Sequence, residues 1–103
     1  MLTFEIILNA FSDYLEQDDV VEVVSTSRGY TVMMWDRKQN DWWNVEYCGT
    51  PERMMDVMLN AYGMYLEERC CGGKHDLTAT QKAEIRTAQE KMKALCKSNE
   101  VNP

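Results

Sequence analysis

Phe4, Ile7, Leu8, Phe11, Tyr14 and Leu15 recur at three- and four-residue spacing, one apolar stripe on a 3.6-residue period. The spacing predicts a helix over residues 3–17, with Asp13 and Glu16 off the stripe. Asp18-Asp19 ends that pattern, and a β-branched run follows. Val20 to Ser25 reads as a strand with Val21 and Val23 facing in and Glu22 facing out. Ser27-Arg28-Gly29 supplies turn chemistry. Tyr30 to Trp35 is a second strand, apolar on both faces. A polar turn over Arg37 to Asp41 follows, in which Asn40 can take a left-handed conformation. Trp42 to Cys48 is a third strand. Strict alternation puts Trp43, Val45 and Tyr47 on one face and Trp42, Asn44 and Glu46 on the other.

Thr50-Pro51-Glu52 is a helix start: a threonine N-cap, proline at the first helical position and an acid in the first turn. That helix is expected to run to about Arg69, with Met55, Met58, Leu59, Tyr62 and Leu66 down one side. Cys71-Gly72-Gly73 ends it, because glycine accepts the left-handed cap. Thr78 with Gln81 is a capping-box pattern. It opens a last helix to about Cys96, striped by Ile85, Ala88, Met92 and Leu95, and residues 97–103 read as a frayed tail. Short links between consecutive strands favour an antiparallel meander. The expected fold is therefore a single α+β domain over residues 1–103, with a three-stranded antiparallel sheet in the order helix-strand-strand-strand-helix-helix.

Composition narrows the function classes. With 103 residues, 45% hydrophobic and 27% charged, the chain fits one globular domain and not a disordered segment. Its net charge of -6 disfavours direct nucleic-acid binding and acidic membranes. No apolar run approaches the roughly 20 residues of a membrane span. The N-terminus has no basic start and carries Glu5 early, unlike a secretory leader, so a reducing cytoplasm is expected. Charge is unevenly placed. Residues 1–68 hold 13 acidic and 4 basic side chains, while residues 69–103 hold 4 acidic and 7 basic.

Cys70-Cys71-Gly72-Gly73-Lys74-His75-Asp76 gathers two of the four cysteines and the only histidine. Thiolate and imidazole suit tetrahedral Zn²⁺, and a glycine-rich turn lets such ligands converge. A structural zinc ion would also stabilise a small domain. Cys70, Cys71 and His75 are the candidate ligands, with Asp76, Glu67, Cys96 or a second chain completing the set. A straight helix over residues 51–70 is about 30 Å long, so Cys48 cannot reach the same ion as Cys70 unless the helix breaks at Gly63. Antiparallel packing of the last two helices would carry Cys96 toward Cys48. Cys96 joins Cys70 only if the last helix folds over differently or comes from a partner.

Trp35, Trp42, Trp43, Met33 and Met34 make the second strand and its neighbour apolar on both faces. The expectation is that the N-terminal helix covers the second face. The alternative leaves an apolar patch open, for which a homodimer through the sheet is the simplest use. Catalysis finds little support, so a non-enzymatic role is expected. There is one histidine, no Gly-x-Ser-x-Gly elbow, no phosphate loop and no Cys-x-x-Cys pair.

The order of elements from Phe4 through Trp43 to Cys96, the size and the acidity together resemble the small type II-A anti-CRISPR proteins of phages and mobile elements, which inhibit Cas9. The resemblance covers nearly the whole chain as topology, size and charge. It implies a stoichiometric inhibitor in the cytoplasm of a bacterial host, docking on the cationic channel of Cas9 and blocking DNA loading. The acids available for such contacts are Asp13, Glu16, Asp18, Asp19, Asp36, Asp41, Glu46, Asp56, Glu67 and Glu68. The alternative is a homodimeric accessory protein of a mobile element with no Cas9 role.

Overall fold

The computed structural model describes residues 1–72 and 75–100. Its elements are α1 (Phe4–Ala10), α2 (Ser12–Gln17), β1 (Val21–Thr26), β2 (Gly29–Asp36), β3 (Asp41–Cys48), α3 (Pro51–Cys71) and α4 (Ala79–Ser98). The strands form one antiparallel sheet in the order β1-β2-β3. The α+β architecture and its element order are those expected.

The first helix is broken. Phe11 leaves helical geometry at φ -97° and ψ 9°, separating α1 from α2. Ser12 Oγ donates to the Asn9 carbonyl at 3.0 Å, a local bond that competes with the helical ladder. Phe11 itself is fully buried, so packing holds the kink. At the other end, α4 runs to Ser98, two residues into the segment read as a tail. Residues 101–103 of that tail, and Gly73 with Lys74, lie outside the described residues.

Both long helices start as their caps dictate. Thr50 Oγ1 accepts the Arg53 amide at 3.2 Å, and Thr78 with Gln81 closes the reciprocal capping box. Gly72 ends α3 at φ 56°, the left-handed cap. Gly63 does not break α3. It is buried, and Gln89 of α4 lies over it.

The register departs from strict alternation. Val32 pairs with Glu46 but Met34 pairs with Trp43, so Asn44 and Val45 together span the place opposite Met33. Asn44 takes φ 51°, the left-handed conformation that starts such a bulge. A one-residue insertion inverts facing along the rest of the strand. Trp43 therefore shares the face of Met34, Glu46 and Cys48, while Trp42 and Tyr47 share the other.

All helical packing falls on the first of these faces. Ile7, Phe11, Val32, Cys48, Met54, Met58 and Cys96 are its fully buried side chains, and the Phe4 ring lies 5.0 Å from that of Tyr30. The N-terminal helix thus joins α3 and α4 instead of covering the second face. Among the described residues, nothing covers that outer face, and Val24, Trp42, Val45 and Tyr47 are 40–55% exposed. No helix among them is long and apolar enough to cross a membrane.

Candidate functional site

An open cleft of about 1390 Å³ lies between the sheet end where β1 begins and the C-terminal half of α3. The bulge aims Trp43 into it, on the same face as Met34. Trp43 is 48% exposed and Met64, from α3, is 37% exposed. With Ala61 and Val20 they give the cleft an apolar floor. Tyr65 stands in its wall, donating to Gln17 Oε1 at 3.3 Å, and Arg69 donates to the Tyr65 hydroxyl at 2.7 Å.

Six carboxylates line this cleft: Asp18, Asp19, Asp36, Glu67, Glu68 and Asp76. They face Arg37, Lys38, Arg69, Lys82 and His75. Three of them are committed locally. Asp18 is buried and accepts from Tyr14 Oη at 2.8 Å and from the Val20 amide at 3.3 Å. Burial first, then this bond and the charge of Asp18, raise the Tyr14 phenol far above its ordinary value. Asp19 pairs with Arg37. Asp36 Oδ1 accepts the amides of Lys38 and Gln39, closing the turn. Glu67, Glu68 and Asp76 make no ion pair among the described residues, and their side chains are exposed.

Half of the ten acids singled out from sequence therefore converge on one cleft. Asp18 among them is a structural acceptor between α2 and β1, not a surface charge. The other five are dispersed. Asp13, Glu16 and Asp56 are exposed on helices, Asp41 accepts its neighbour's amide, and Glu46 pairs with Arg53 at 2.7 Å. Of the cleft's apolar anchors, Met64 was not legible from sequence, and Trp43 was read only as part of the sheet's aromatic cluster. Trp43 reaches the cleft only through the bulge at Asn44, an asparagine type that tolerates positive φ.

The four metal-ligand candidates occupy two places. Cys70, Cys71 and His75 lie at the end of α3 and in the link to α4. The Cys71 thiol donates to the Glu67 carbonyl at 3.4 Å, and His75 Nδ1 lies 2.8 Å from the Asp76 carbonyl. Cys96 is fully buried in the core. Antiparallel packing sets Gln89 against Leu59 and Lys82 beside Glu67. That register puts Cys96 about 25 Å along the helix axis from Cys70, at a rise of 1.5 Å per residue. Cys48 and Cys96 share the core cluster instead. Burial pushes both thiols up; at Cys48 the nearby Arg53 opposes this in part. Among the described residues no group of three or more His, Cys, Asp or Glu is placed to hold a metal ion.

Comparison with protein-family models, curated proteins and solved structures gives no match.

Proposed function

We propose that the protein is a stoichiometric binder of a cationic protein surface, and that the cleft between the sheet end and α3 receives the partner. One observation carries the reading: exposed Trp43 and Met64 sit in a single cleft with the exposed carboxylates Glu67, Glu68 and Asp76, which make no ion pair among the described residues. An aromatic anchor within a charged rim is the arrangement in which a few residues dominate binding energy. The acidic body adds long-range attraction, which speeds encounter and weakens with salt. Blocking by occupancy needs no bond to be made or broken. The resemblance to Cas9 inhibitors makes the guide-loaded nuclease the specific partner to test.

Purified protein is passed over immobilised, guide-loaded type II-A Cas9 at about 50 mM and about 500 mM salt, across which screening rises steeply. Binding is expected at low salt and severalfold weaker at high salt. Trp43→Ala should speed dissociation, and a Glu67→Lys/Glu68→Lys variant should slow association. Absence of binding at low salt removes Cas9 as the partner. Binding unaffected by all three substitutions removes the cleft.

A further inference from the structure

We infer that the helix-free outer face of the sheet is the surface through which two copies of this chain associate. This surface meets the cleft only at Trp35, which borders both. The strand register directs Val24, Met33, Trp35, Trp42 and Tyr47 outward, with Val45 opposite Met33 at the bulge. Glu22 is the only charged residue at an outward strand position. That neutrality contrasts with a chain that is 27% charged and carries a net -6.

The charge pattern selects the occupant. A nucleic acid would need cations on this face, and a cationic protein would need several carboxylates; neither is there. Two copies of an acidic protein repel wherever their carboxylates meet, and a two-fold contact sets a patch against itself, so a neutral face favours a second copy. A two-fold axis parallel to β2 lays β1 of one copy over β3 of the other. The two Glu22 side chains then sit at opposite edges and never face each other.

The face is also preorganised. Trp35 and Trp42 pack edge to face, with ring centroids 5.0 Å apart and planes at 75°. Tyr47 is held by its hydroxyl, which donates to the Arg28 carbonyl at 2.5 Å. Side chains already fixed lose little rotamer freedom on association. The face measures about 25 Å by 15 Å from strand rise and spacing. That is below the roughly 800 Å² per partner of a standard stable interface, so the dimer is expected at micromolar and not nanomolar concentration.

Sedimentation equilibrium of the full chain in reductant, from about 5 to 300 µM, tests this; the reductant excludes disulfides through exposed Cys70. The mass should rise toward that of a dimer, with little dependence on salt. Trp42→Glu and, separately, Val24→Glu should hold the chain monomeric throughout, with circular dichroism and melting temperature close to wild type. Glu67→Lys/Glu68→Lys should leave the dimer intact, so failure here is separable from failure of the cleft. A wild-type chain that stays monomeric at 300 µM overturns the inference, as does a dimer that survives both outer-face substitutions.

Discussion

Gln89 of α4 donates its Nε2 to the backbone carbonyl of Leu59 in α3 at 2.9 Å, directly over Gly63. This contact is why α3 tolerates a buried glycine in its middle. A Cβ at residue 63 would fall 2.4 Å from that nitrogen.

Gly63→Ala therefore has two opposed effects. Alanine gains about 1 kcal/mol of helix propensity, and displacing the Gln89 amide loses a hydrogen bond of about the same size. The single substitution should leave the urea unfolding free energy nearly unchanged. In a Gln89→Ala background the same change should stabilise by about 1 kcal/mol. Strict additivity in that double-mutant cycle would show that the two residues are not coupled.

Tyr14 and Asp18 make the protein sensitive to alkali. The folded phenol titrates above its unfolded value of about 10, through burial first and then Asp18 and Tyr65. The proton's contribution is fully present below pH 10 and is lost above it, as the unfolded chain ionises and the folded chain resists. Tyr14→Phe should flatten part of the stability loss between about pH 10 and 11.5 in urea titrations. At neutral pH it should cost about 2 kcal/mol, because buried Asp18 keeps only the Val20 amide as donor. An unchanged alkaline slope would count against the pair.

Element order was legible because the periods are strong and the caps unambiguous: Thr50-Pro51 and Thr78-x-x-Gln81 open α3 and α4 where they are read. The kink at Phe11 was not, since the apolar stripe runs through it unbroken and the local cue is only Ser12, whose hydroxyl donates to the Asn9 carbonyl. The expectation that α1 covers the second face failed, because β2 is apolar on both sides and its pattern does not say which side a helix takes. The cleft joins Asp19, Asp36 and Glu67, residues far apart in the chain, and its anchor depends on one asparagine's backbone angle. No local pattern encodes such a convergence.

The four thiols should fall into two classes. Cys70 is exposed and Cys71 half-buried at the end of α3, whereas Cys48 and Cys96 are fully buried with raised thiol pKa values. Since the thiolate is the reactive form, an aromatic disulfide reagent at pH 7.5 should titrate two thiols rapidly in the native protein. The other two should react only as the chain unfolds in denaturant. Rapid native labelling of Cys96, located by mass spectrometry, would contradict the packing of α4.

Asn44 decides where Trp43 points, so it links backbone geometry to the cleft. At φ 51° a β-branched side chain meets steric cost that asparagine largely avoids and glycine does not incur. Asn44→Gly should preserve the bulge, the fold and the partner binding proposed for the cleft. Asn44→Val should cost about 1–2 kcal/mol if the bulge persists. If the strand instead relaxes to regular pairing with Glu46 still opposite Val32, Trp43 slides opposite Trp35 and turns to the outer face. Trp43 resides within the cleft lined by Lys38 and Tyr65, so its indole proton shift reports the choice directly. A Trp43 resonance and a melting temperature both unchanged in Asn44→Val would show that the left-handed residue does not control the register.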